Sequence, residues 1–152
     1  MAKLLAGKTY DPATAVTKGT AASAMAAFDT TNLRLTVTVP ASGILYCIVR
    51  CPQHGATTWS QFLLGVMEGA TVRGKVCPSG AVQGTSLATT FMMLEAGMVV
   101  SGLTPSASIT LDAAWGCETF VASSLLKYGG PANATANNDF GGISFEVWDV
   151  TT

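Results

Sequence analysis

From Asn32 the chain alternates. In NLRLTVTVP, Leu33, Leu35, Val37 and Val39 take every second position, Asn32, Arg34, Thr36 and Thr38 take the others, and Pro40 ends the run. A period of two sends the two sets to opposite sides of an extended strand, so this segment is a half-buried strand. After Ala41-Ser42-Gly43 comes ILYCIVRC, a nearly unbroken apolar run of β-forming residues, and the two runs together predict a hairpin. QFLLGVMEG and ATVRGKVCP predict two short strands around Gly69. SLATTFMML and MVVSG predict two more, with a turn at Glu95-Ala96-Gly97. SITLDAAWGCETF alternates Ile109, Leu111 and Ala113 with Ser108, Thr110 and Asp112. The last strand, ISFEVWDV, sets Ile143, Phe145 and Val147 against Ser144, Glu146 and Trp148.

About eight strands at intervals of roughly 8 to 12 residues, with no long amphipathic helix, predict an all-β fold, a sandwich or barrel. No strand alternates with a helix, which argues against a parallel α/β sheet. The 152 residues suit one domain. Residues 1–24 follow no sustained period and predict an extended N-terminal arm or an irregular entry strand, with a short helix over 21–27 as the alternative. Residues 25–152 make up the sandwich.

Charge changes the picture more than hydropathy does. Hydrophobic residues make up 49% of the chain but charged residues only 11%, against roughly 25% in an average soluble domain. Eight basic and nine acidic residues leave a net charge of −1. So little charge favours association, and predicts a surface partly covered by copies of the chain or by a larger assembly. It also supplies no basic field for a nucleic acid. No run approaches the roughly 20 apolar residues of a membrane span. The opening MAKLLAGK is too short an apolar stretch for a secretory signal, so synthesis in a reducing cytosol is expected. The sequon Asn133-Ala134-Thr135 then reads as a chance match.

Candidate chemistry is sparse. CIVRCPQH brings Cys47, Cys51 and His54, the chain's only histidine, within eight positions. On a strand, Cys47 and Cys51 share a face but lie roughly 13 Å apart at about 3.3 Å per residue. That is beyond the ~7 Å a disulfide spans, and a zinc knuckle needs a tight turn between its cysteines. They read as small apolar fillers; a partner at Cys77 or Cys117 on another strand stays open. His54 is expected in an exposed loop after the strand. GATVRGKV, residues 69–76, spaces Gly69, Gly74 and Lys75 like a phosphate-binding loop, but Val76 stands where a magnesium-binding hydroxyl belongs. Pro78 and nearby glycines then forbid the required helix. The closest carboxylate pairs, Asp112 with Glu118 and Glu146 with Asp149, sit within strand patterns. No catalytic residue, metal ligand or cofactor site emerges. Of the tryptophans, Trp59 follows a loop and Trp115 sits late in its strand. Trp148 is the best interface candidate, because Ile143, Phe145 and Val147 already supply the other face of its strand.

The stretches FDTTNLRLTVTVPASG, SGLTPSASITLDAAW and LKYGGPANATANNDFGGISFEVWDV resemble the small jelly-roll domains of tailed-phage virion proteins. Those domains serve as capsid cement or decoration proteins and in tails and fibres. They are similar in shape to the trimeric jelly rolls of the tumour-necrosis-factor and C1q families. The chain lacks a collagenous stalk, which favours the virion comparison. The resemblance implies a single antiparallel β-sandwich of jelly-roll type that forms a homotrimer. It implies a structural, non-enzymatic protein on the capsid surface, made in the host cytoplasm, which binds the phage major capsid protein and stabilises the shell by mass action. The arm would be the reaching element, with Lys3, Leu4, Leu5 and Tyr10 joining Trp148 at the interface. The alternative is a receptor- or carbohydrate-binding tail module. Its ligand loop would present Asn133, Asn137, Asn138 and Asp139 between Tyr128 and Phe140, although glycine and asparagine there also suit plain turns.

Overall fold

Eleven strands and no helix make up the described residues of the computed structural model, which are 2–19, 24–55, 60–78, 90–121, 124–130 and 140–150. The strands are β1 (Lys3–Tyr10), β2 (Val16–Lys18), β3 (Ala26–Ala27), β4 (Arg34–Thr38), β5 (Leu45–Gly55) and β6 (Gln61–Glu68). They continue with β7 (Thr71–Val76), β8 (Thr90–Val100), β9 (Ser108–Thr119), β10 (Ser124–Tyr128) and β11 (Ile143–Asp149). All pairings are antiparallel. Sheet A runs β1-β11-β5, with β8 on the far side of β5, and β10 and β2 continue it past β11 and β1. Sheet B runs β4-β9-β6-β7, with β3 beside β9.

Set aside the short β2, β3 and β10, and number the remaining eight in chain order. Sheet A then reads first, eighth, third, sixth, and sheet B second, seventh, fourth, fifth. That is the strand order of a jelly roll, two four-stranded sheets face to face. Two of the three short strands, β2 and β10, arise where the first and last strands are interrupted. β11 and β10 lie one after the other along the same side of β5, and β1 and β2 lie along them in turn. Residues 11–15 join β1 to β2, and 129–130 and 140–142 border β10 and β11. These segments are tied together: Gly129 N–H donates to the Gly141 carbonyl at 2.8 Å, and Gly130 N–H to the Pro12 carbonyl at 3.0 Å.

Alternation along the strands builds the core. Leu33, Leu35, Val37 and Val39 meet Leu45, Cys47, Val49, Ile109, Leu111, Ile143, Phe145 and Val147, all buried. Phe28 packs edge-on to Tyr128 with ring centres 6.0 Å apart, and Phe62 and Trp115 continue this aromatic seam. Burying this apolar area is the main favourable term in the fold.

Three local expectations are corrected. Glu95-Ala96-Gly97 is no turn: β8 passes straight through it, because residues 94, 96 and 98 are buried and their neighbours exposed, an unbroken period of two. The described part of 21–27 is extended, with Ala26–Ala27 paired to β9 in place of a helix. The N-terminal segment is paired to β11 from Lys3 to Tyr10, with an irregularity between Leu4 and Ala6. His54 is half-buried inside β5, paired with Leu125 and Phe91, and does not lie in a loop.

A buried polar knot holds one end of the sandwich. Gln53 Nε2 donates to Ser124 Oγ at 2.8 Å and to the Ser60 carbonyl at 3.1 Å. Ser60 N–H donates to the same Ser124 oxygen at 2.9 Å. Ser60 Oγ in turn donates to the Ser124 carbonyl at 2.8 Å and accepts from Val121 N–H at 2.9 Å. Every member is satisfied by another, so removing the shared acceptor orphans two buried donors. Ser124→Ala is therefore expected to cost about 1–3 kcal/mol in chemical denaturation, more than its lost volume explains. A change within error would show that the knot carries no stability.

Candidate functional site

The outward side of sheet A is built from the positions that alternation excludes from the core. Register places them in rows across four strands. Leu4, Trp148, Tyr46 and Val99 form one row, on β1, β11, β5 and β8 respectively. Gly7, Glu146, Ile48 and Gly97 form the next, and Thr9, Ser144, Arg50 and Glu95 the third. Pro52 and Met93 continue it on β5 and β8. The first row holds no charge. Val99 is 61% exposed, Met93 54% and Leu4 46%, and these are the most exposed large apolar side chains among the described residues.

The charged side chains beside the apolar row are tied to each other. Arg50 donates through Nε to Glu95 on β8, and through a terminal nitrogen to Glu146 on β11 at 2.6 Å. Glu146 also accepts the indole N–H of Trp148 at 2.9 Å. One guanidinium thus links three strands and fixes the indole through a carboxylate. Burial raises the Glu146 pKa, but the hydrogen bonds from Trp148 and Arg50 and the Arg50 charge outweigh that and hold it below the usual carboxylate range. Tyr46 lies across Gly97: a Cβ there would stand 2.8 Å from the ring carbon bearing the hydroxyl. The missing side chain lets the ring lie down, which keeps the face flat.

Between β1 and β11 the face dips into a cleft of about 270 Å³, lined by Leu4, Gly7, Lys8, Thr9, Ser144, Glu146 and Trp148. At the opposite end Phe140 rests edge-on against His54, centres 5.8 Å apart, with the Lys127 ammonium 5.3 Å from its ring. Phe140, which follows the asparagine-rich segment in sequence, therefore sits on this same face.

The residues singled out from sequence separate into three groups. Leu4 and Trp148 come together, adjacent across β1 and β11. Leu5 and Tyr10 pack against the core, and Lys3 is exposed at the start of β1 opposite Asp149. Tyr128, expected to flank a ligand loop, is a core residue inside β10, so it cannot contact a ligand there. Asn133, Asn137, Asn138 and Asp139 lie outside the described residues, as does Trp59. Tyr46, Arg50, Met93 and Val99 were missed. The signal for two of them was in ILYCIVRC, since an apolar run without alternation marks a strand covered on both faces.

The motif candidates fall to the fold. Residues 69–76 are a tight turn and β7, and the described residues that follow Lys75, 76–78, are not helical. Asp112 receives a two-pronged pair from Arg34, at 2.7 and 2.8 Å. Cys47, Cys51, Cys77 and Cys117 are all free thiols, and only Cys77 is exposed. Burial pushes the Cys47 thiol up to about 12 and raises Cys51 as well. Among the described residues no three His, Cys, Asp or Glu side chains gather to hold a metal ion. Comparison with protein-family models and with curated proteins finds no match for this chain.

Two outcomes follow. In the native protein a thiol reagent should label Cys77 rapidly and the other three cysteines only on unfolding; fast labelling of two or more would contradict the buried placement. The depressed Glu146 pKa contributes stability present above the ordinary glutamate value and lost as pH falls through the folded one. Thermal stability should therefore fall as the pH is lowered through and below the ordinary glutamate value. Glu146→Gln should flatten that fall, and an unchanged slope would remove the Arg50 network from the account.

Proposed function

We propose that this chain is a structural protein that acts by surface contact: a self-associating jelly-roll subunit, trimeric, that decorates and stabilises a virion shell. No catalytic step enters this reading. The observation that carries it is the outward face of sheet A, where Val99 on β8 stands exposed opposite Tyr46 on β5, and Met93, farther along β8, stands exposed opposite Pro52. Exposed apolar side chains gathered on one sheet face mark a contact surface.

Charge supports a second copy as the occupant. Arg50 is already matched by Glu95 and Glu146 within the face. Covering it therefore leaves no orphaned ion, the usual obstacle to burying charge at an interface. Neighbouring copies around a threefold axis can then pack against this face without burying an unpaired ion. The low charge of the whole chain points the same way. A shell subunit of this kind stabilises the particle because it binds the assembled form alone, and the jelly-roll order agrees with the virion domains that the sequence resembles.

The test is the solution mass of the native chain and of Val99→Lys combined with Met93→Glu. Both positions are exposed in the single chain, so the variant should melt within a few degrees of the native protein. The native chain should sediment as a trimer and the variant as a monomer. A native monomer at high micromolar concentration, or a variant that still trimerises, would overturn the reading.

A further inference from the structure

We propose that the cleft between β1 and β11 is a sugar site, which takes one neutral pyranose unit of a glycan. It goes beyond the assembly reading. The cleft lies on the β1–β11 side of the face, whereas the self-contact surface is argued from β5 and β8.

The cleft has an aromatic wall, and that wall is fixed. Trp148 is half-buried, with its indole N–H held by Glu146 at 2.9 Å, and Glu146 is held in turn by Arg50 at 2.6 Å. A preset indole suits the C–H face of a sugar ring, because the ring edge carries the partial positive charge that an aromatic face attracts. Leu4, opposite Trp148 in register, extends the apolar wall.

The floor is Gly7, and nothing in the backbone requires glycine there. Its φ is not positive. A Cβ would meet only ordinary contacts, 3.7 Å from Glu146 Cγ and 3.8 Å from Leu4 Cδ1. Gly97, in the same row, differs because Tyr46 occupies its space. The missing side chain at residue 7 serves no turn and admits no neighbour. Its effect is to keep the cleft open.

The rim supplies the polar partners. Lys8, Thr9 and Ser144 line the cleft, and their side chains are not engaged in the ion pairs that tie Arg50, Glu95 and Glu146 together. Thr9 and Ser144 are register partners on the outward side, so two hydroxyls face the opening. Glu146 accepts one hydrogen bond at each oxygen, which leaves lone pairs for sugar hydroxyls. A concave site with an aromatic wall and a few convergent polar groups is the usual form of a small-ligand pocket. The one carboxylate at the cleft, Glu146, is already matched by Arg50, which suits a neutral ring.

The test follows the Trp148 indole N–H signal by NMR during titration with methyl glycosides of glucose, galactose, mannose and N-acetylglucosamine. At least one should shift it saturably in the millimolar range. Gly7→Leu, which fills the cleft, should abolish the shift, and Ser144→Val should weaken it several-fold, both with the melting temperature held. The assembly variant Val99→Lys with Met93→Glu should keep the shift, so loss of trimerisation and loss of sugar binding are read separately. No shift with any of the four glycosides, or a shift that survives Gly7→Leu, would overturn the proposal.

Discussion

Everything on the outward face of sheet A depends on the register of one strand. β5 is eleven residues long and pairs with β8 along its whole length, while β11 and then β10 share its other side. Cys47, Val49 and Cys51 must point inward to fill the core, so Tyr46, Ile48 and Arg50 must point out. A slip of one position would bury the guanidinium and expose the cysteines. The Arg50 pairs to β8 and β11 lock the same register from outside. Core packing and surface chemistry therefore specify one alignment, the consistency between levels that a single native structure requires.

That constraint explains how a charge-poor chain makes a defined surface. With few ions available, the face is shaped by what small residues leave open. Gly97 lets Tyr46 lie flat, and Gly7 leaves a cleft beside Trp148. The one compact group of charges serves as a brace across three strands, more than as a solvating fringe. Such a face has apolar reach without unpaired charge, which suits contact with another protein surface.

The fold was legible in the sequence because its signal is periodic. Leu33 to Val39 and Ile143 to Val147 alternate without interruption, and those strands stand where the pattern put them. Glu95-Ala96-Gly97 misled because its composition suits a turn; the alternation through Leu94, Ala96 and Met98 was the better guide. β2 and β10 are short pairings set by their neighbours across the sheet, with no period of their own to read. The face was legible only in part. Trp148 could be assigned outward from its own strand, and Leu4 joined it only through pairing between the two ends of the chain. Tyr128 shows the opposite limit: a tyrosine beside Gly129-Gly130 resembles a loop residue until β10 is seen to carry it into the core. Sequence neighbours do not reveal which strand lies alongside.

The central proposal is that the β5–β8 part of the outward face of sheet A is covered by other copies of the chain. Hydroxyl-radical footprinting with mass spectrometry tests it at the side chain itself, by following oxidation of Met93 against protein concentration. Val72, exposed on β7 in the other sheet, gives the internal reference. The account predicts that Met93 becomes protected as concentration rises while labelling of Val72 stays constant. Equal labelling of Met93 at every concentration would contradict it.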